Sequence, residues 1–125
     1  MLKKIKISTS SVQMQAELNN SDTAQKIWEI LPIESTVNRW GEEIYFPIPL
    51  KLEEENAKEI VEKGDIAFWP SGSCFCIFFG PTPISKGKEI RPASAVNVFG
   101  KILGKVKEFA KVGDGEKIKI EKFNP

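Results

Sequence analysis

Histidine is absent from the 125 residues, cysteine occurs only twice and tyrosine only once. Without an imidazole in the chain, a serine hydroxyl has no His partner to activate it as a nucleophile. Two thiols alone cannot complete a four-ligand zinc site either, unless carboxylates or a second copy of the chain supply the rest. The two cysteines, Cys74 and Cys76, flank Phe75 in a strand-like run, which sets them on one face about 6.6 Å apart. A disulfide needs Cβ atoms within ~3.5–4.5 Å. Both are therefore expected to be reduced core thiols, and neither a metal nor a cofactor is expected. A charge excess of either sign is also missing, since 18 Lys and Arg stand against 17 Asp and Glu for a formal net charge of +1. No broad field exists to draw in nucleic acid or an anionic membrane surface, so neither is an expected partner. No run approaches the ~18 apolar residues of a membrane span. The opening Met1-Leu2-Lys3-Lys4-Ile5-Lys6 is followed by polar Ser8, Thr9, Ser10 and Ser11 where a signal peptide requires an apolar stretch. The expected location is the cytoplasm.

What is present is ordinary for a globular chain: 41% hydrophobic and 28% charged residues. The length fits one domain, residues 1–125, with one continuous core. The density of Lys and Glu suits a thermophile. Strand patterns outnumber helical ones. Val12, Met14, Ala16 and Leu18 alternate with polar residues, and with Ile5 and Ile7 before the serine-rich turn they read as an opening hairpin. A helix is expected next, with Asp22 as N-cap and Ala24, Ile27, Trp28 and Leu31 as its apolar stripe, stopped by Pro32. Residues 34–46 return to a strand pattern, bent at Gly41. Residues 54–63 fit a short helix with Ala57, Ile60 and Val61 inward and Gly64 as its stop. Residues 66–69 and 74–79 read as two strands joined by a tight turn. The second is apolar on both faces, so both faces must be covered. A polar loop through Arg91-Pro92 follows, then a strand over 95–100, a second helix carrying Leu103, Val106, Phe109 and Ala110, and a final strand with Ile118 and Ile120. The sum is a mainly β fold, a closed barrel of about eight strands capped by two α-helices.

Four blocks within this pattern are distinctive: Trp40-Gly41-Glu42-Glu43-Ile44-Tyr45-Phe46, Gly64-Asp65-Ile66-Ala67-Phe68-Trp69-Pro70, Phe78-Phe79-Gly80-Pro81-Thr82-Pro83 and Pro92-Ala93-Ser94-Ala95-Val96-Asn97-Val98. In sequence and order they resemble the motifs of a family of small prokaryotic proteins with a cyclophilin-like barrel. The resemblance spans nearly the whole chain and implies that fold. No established activity comes with it.

True cyclophilins lower the ~18–20 kcal/mol barrier to rotation about the bond before proline, using an arginine with aromatic, glutamine and histidine neighbours. No catalytic residue transfers by motif, and Arg39 is the one weak catalytic candidate. Glu42 and Glu43 are neighbours on a strand and face opposite sides, so they are not an acid and base pair. Glu42 is taken as the pocket carboxylate. Trp40 and Tyr45 offer ring faces with polar tips, Phe79 and Thr82 flank the proline-rich turn, and Ser94 and Asn97 follow it. These observations favour a binding module whose barrel face, bearing Trp40, Glu42, Tyr45, Phe79, Thr82 and Ser94, takes a peptide or small molecule. The alternatives are a divergent prolyl isomerase or other small enzyme, for which a buried Glu42 would speak, and an interaction subunit of a larger assembly, by fold analogy alone.

Overall fold

Alternation of period two dominates the chain, and in the computed structural model, which describes residues 2–123, it yields nine strands in a single antiparallel sheet. Met1, Asn124 and Pro125 lie outside the described residues. In β1 (Lys4–Ser8) and β2 (Gln13–Leu18), Ile5, Ile7, Ala16 and Leu18 are buried and the polar residues between them are not. Ile5 pairs with Ala16 and Ile7 with Met14, which is the expected hairpin. Helix α1 (Asp22–Glu29) ends just before Pro32, also as expected. Its N-cap is Ser21 rather than Asp22. Ser21 has extended backbone angles and its Oγ accepts from the Ala24 N–H at 3.1 Å, whereas Asp22 is already helical and adds a negative charge to the first turn. The N–H groups of Asp22 and Thr23 donate instead to the Glu55 carboxylate, at 3.0 and 2.9 Å.

The remaining strands are β3 (Ile33–Thr36), β4 (Asn38–Trp40), β5 (Glu43–Pro47), β6 (Asp65–Trp69), β7 (Cys74–Phe78), β8 (Asn97–Leu103) and β9 (Lys117–Lys122). The sheet order is β3-β9-β1-β2-β8-β6-β7-β5-β4. Its two ends belong to one extended stretch, because β3 and β4 are separated only by Val37. There the ladder pauses: the Val37 N–H donates to the Glu116 carbonyl and its carbonyl accepts from Gly115, both at 2.8 Å. One half of the stretch pairs with β9 and the other with β5. The barrel closes through this shared stretch, and nine strands amount to the eight staves expected. Beside the seam, Glu116 accepts from Ser10 Oγ at 2.6 Å, Ser11 Oγ at 2.8 Å and the Gly113 N–H at 2.6 Å. These bonds, that from Ser10 foremost, hold its carboxyl down at about 2.

Phenylalanines fill the barrel. Phe46 stacks on Phe75 with centroids 4.9 Å apart, and Phe75 meets Phe99 edge-on at 5.0 Å. Such pairs are worth about 0.5–1.5 kcal/mol beyond the area they bury. Ala24 and Ile27 of α1 join the same core, as does Phe109 from the other expected helix. That second element is a 3₁₀ helix, Val106–Lys111, and not an α-helix. Leu103 ends β8, and Gly104 with φ +127° breaks the path between them, leaving six residues of which only Phe109 is buried. The helix expected over 54–63 does not form. Asn56 takes φ +48°, Ile60 is 42% exposed, and Lys58 and Val61 make isolated β-bridges to Val96 and Ile90. The reason is tertiary: the outer face of β6 and β7 needs cover, and this loop with residues 90–96 supplies it. Val61, Ile90 and Val96 pack on Ala67, Cys74, Cys76 and Phe78 as a second buried cluster. Both faces of β7 are thus buried as expected, the inner one by the barrel and the outer one by loops. No helix among the described residues is long and apolar enough to cross a membrane.

Candidate functional site

Loops lying over a sheet leave gaps where their side chains are small. Over β5 and β7, Pro92, Ala93 and Val96 form the roof of a pocket of about 100 Å³. Its walls are Trp40, Tyr45 and Trp69, and Glu43 and Cys76 complete its lining. Register explains the grouping. A two-residue turn, Gly41-Glu42, pairs Trp40 directly with Glu43, while Tyr45 pairs with Cys76 and Cys76 with Ala67. Residues paired in this way share a face. Gly41 has φ +60° and Glu42 does not have a positive φ, the pattern of a type II′ hairpin. Tyr45 and Trp69 meet at 79° with centroids 6.3 Å apart, forming a corner.

Glu43 is the one acidic group of this pocket and is only 5% exposed. Among the described residues, no lysine or arginine forms an ion pair with it. Burial pushes its carboxyl from 4.5 up to about 7, and a hydrogen bond from the Cys76 thiol opposes the shift. The same thiol also has the Cys74 carbonyl within 3.9 Å. Burial and then the Glu43 charge push both Cys74 and Cys76 upward, so they are neutral thiols. Burial is also the main cause that raises Tyr45. Among the described residues, no three His, Cys, Asp or Glu side chains gather into a metal-sized cluster.

The family model for Cyclophilin-like proteins matches residues 3–121. This chain belongs to the Cyclophilin-like family. A hypothetical protein from Archaeoglobus fulgidus, its structure determined in solution, has 43% sequence identity and a TM-score of 0.84, with 98% of this chain and 95% of that chain covered. No curated protein matches.

On this Cyclophilin-like barrel the expected site residues separate. Trp40 and Tyr45 line the pocket. Ser94 stands at its rim, where its Oγ accepts from Trp69 Nε1 at 2.6 Å and so fixes the indole. Three others lie elsewhere. Glu42 is exposed in the hairpin turn, its carboxylate over Gly80, so a carboxylate chemistry built on Glu42 has no pocket to act in. Phe79 is 1% exposed and points into the barrel core against Phe109. Thr82 is buried within its loop, where Oγ1 donates to the Arg91 carbonyl and its N–H donates to Ser85 Oγ at 2.9 Å. Thr82 holds the loop that leads to the roof without facing the pocket. Asn97 is structural too: at 1% exposure it joins Thr23 Oγ1, the Glu53 carbonyl and the Glu55 N–H.

Arg39 is spent on the scaffold. Its Nε donates to the Gly41 carbonyl at 2.8 Å, its Nη1 donates to those of Ala110 and Val112 at 3.0 and 3.1 Å, and its guanidinium lies 4.9 Å from the Phe79 ring centroid. Those donors are not aimed at the pocket, which removes the geometric basis for Arg39 as a prolyl-nitrogen donor. Arg39→Ala is expected to lower stability by about 2 kcal/mol, measured by urea unfolding, through unpaired carbonyls at the end of the 3₁₀ helix. Occupancy of the pocket should be unaffected.

Glu43, Trp69, Cys76, Pro92, Ala93 and Val96 are the pocket residues that sequence reasoning missed as site components. The signal for Glu43 was present: it has the same parity as Tyr45. A bend expected at Gly41 left open which of Glu42 and Glu43 shares a face with Trp40, and the two-residue turn, which pairs Trp40 with Glu43, decides it.

Proposed function

We propose that this chain is a small-ligand-binding module whose site is the pocket between Trp40, Tyr45 and Trp69. The observation that carries the reading is Glu43, a buried carboxyl without a cation partner that sits in an otherwise apolar, aromatic-walled cavity. A carboxyl buried in this way costs stability unless something in the pocket compensates it. Acids perturbed by burial in a cleft cluster at functional sites. A carboxyl titrating near 7 is also suited to proton transfer, yet apart from the polar tips of the aromatic walls the lining of Cys76, Pro92, Ala93 and Val96 offers no second charged group to orient a reacting atom, which favours binding over catalysis. The small volume selects a compact group. At about 100 Å³ it lies well below the ~300 Å³ at which drug-sized sites begin.

A protein-observed NMR fragment screen tests the proposal. Fragments are expected to shift the signals of Trp40, Tyr45, Trp69 and Val96 together, and Ala93→Trp, which fills the pocket mouth, should abolish those shifts. Shifts scattered elsewhere, or unchanged by Ala93→Trp, would overturn it.

A further inference from the structure

We infer that the ligand of this pocket is a small organic cation, a primary or N-methylated alkylammonium, held over the rings of Trp40, Tyr45 and Trp69 with Glu43 as its counter-ion. The inference rests on the pocket being the binding site. Aromatic faces carry negative electrostatic potential and attract a cation within ~6 Å of their centroids, most strongly for tryptophan. Two of the three walls are indoles, and Tyr45 and Trp69, set at 79° to one another, both line the same volume. Ser94 keeps the Trp69 edge engaged, which holds that wall in place.

Charge decides among ligand classes. An anion would meet the Glu43 carboxylate with no lysine, arginine or amide in the lining to receive it. A neutral apolar group would satisfy the rings and leave the acid unpaired. A cation satisfies both, and a volume of about 100 Å³ suits a compact methylated head.

Titration gives the inference a sign. The groups that share the pocket face with Glu43 are Tyr45 on β5 and Cys76 and Cys74 on β7, all raised and uncharged below pH 8. Trp40 on β4, Trp69 on β6 and Pro92, Ala93 and Val96 of the roof do not titrate, and Asp114 acts on Tyr45 from the turn beyond. In the empty pocket Glu43 is largely protonated below about 7. A bound cation favours its charged form, so binding releases a proton. Affinity should therefore rise about tenfold per pH unit below 7 and level off above it. A neutral ligand accepting a hydrogen bond from the protonated acid would show the opposite slope.

The experiment compares choline with its uncharged carbon isostere, 3,3-dimethylbutan-1-ol, by calorimetry and by the indole signals of Trp40 and Trp69. Choline is expected to bind about tenfold more tightly or better. Glu43→Gln should remove most of that advantage together with the pH slope. Equal binding of the two probes at the indoles, or a choline affinity that falls with pH, would overturn the cation assignment while the pocket reading stood. If no fragment or probe moves the indole signals, the pocket reading falls and the assignment with it. The wild-type pH slope decides the matter even if Glu43→Gln fails to fold.

Discussion

Gly100→Ala is expected to destabilise the protein by about 4 kcal/mol. Gly100 lies in β8 between two partners, paired with Leu18 of β2 and with Ile66 of β6. A Cβ there would run into the backbone carbonyl oxygen of Glu17 and come within 2.9 Å of Ile66 Cδ1. The side chain could rotate away, but the carbonyl belongs to the β2–β8 ladder and cannot. The site is also a bulge. Ile66 pairs with Gly100 and Ala67 with Val98, so Phe99 is the extra residue, and its ring is the one that meets Phe75 in the core. Moving the backbone at 100 therefore disturbs two ladders and the aromatic stack together. With urea slopes of ~1–3 kcal/mol/M, the unfolding midpoint should fall by roughly 2 M. Gly113→Ala serves as control, since its new methyl would meet only Glu116 Oε2 at 3.9 Å. A Gly100→Ala midpoint close to that of the control would refute the packing argument.

The second large effect is a stability that declines toward neutral pH because of a single acid. Glu43 titrates at about 7 in the folded protein, because of burial, against 4.5 ordinarily. A carboxyl raised by folding binds more protons in the native state than in the unfolded one. Its contribution is therefore fully present below 4.5 and is lost as pH climbs through about 7. At 1.36 kcal/mol per pH unit the loss amounts to about 3 kcal/mol. Other carboxyls do not obscure this window. Glu116, held near 2, contributes stability above 4.5 that disappears only as pH falls toward 2. Wild type and Glu43→Gln should be compared by urea unfolding from pH 4.5 to 8. The stability of wild type relative to the variant should drop by about 3 kcal/mol across that range, and a constant difference would show that burial does not raise this acid. The same titration underlies the pH slope expected for cation binding, so a ligand that occupies the pocket should flatten the decline.

These expectations depend on features that were unequally legible in the sequence. The β1–β2 hairpin and the β6–β7 pair follow from alternation and turn residues that are local in the chain, and both form where alternation places them. The segment 54–63 carries helix-like spacing, but that spacing does not register that Val61 is needed on the outer face of β7, some fifteen residues away. Glu55 reaching α1 from the same loop is equally invisible, since a capping acid 32 and 33 residues from its donors leaves no local signature. For the site, residue types were readable and facing was not. Trp40 and Tyr45 were found by their chemistry, whereas choosing between Glu42 and Glu43 required the length of one turn. A register change of one residue exchanges the faces of a strand, and here it moved the acid from solvent into the pocket.

The stretch 33–40, which supplies both ends of the sheet, also limits how a partner can approach. A sheet with an open side presents a row of unpaired backbone groups, on which an extended peptide can dock as an added strand or a second copy can aggregate. Here that row is interrupted. The N–H groups of Val37 and Arg39 are taken by Glu116 and Asp114, Ser35 Oγ donates to the Pro47 carbonyl, and Pro47 has no N–H to offer. Strand addition along this stretch has few free backbone groups to bind to, so the proposed binding of a ligand falls to side chains, the rings and the one acid of the pocket.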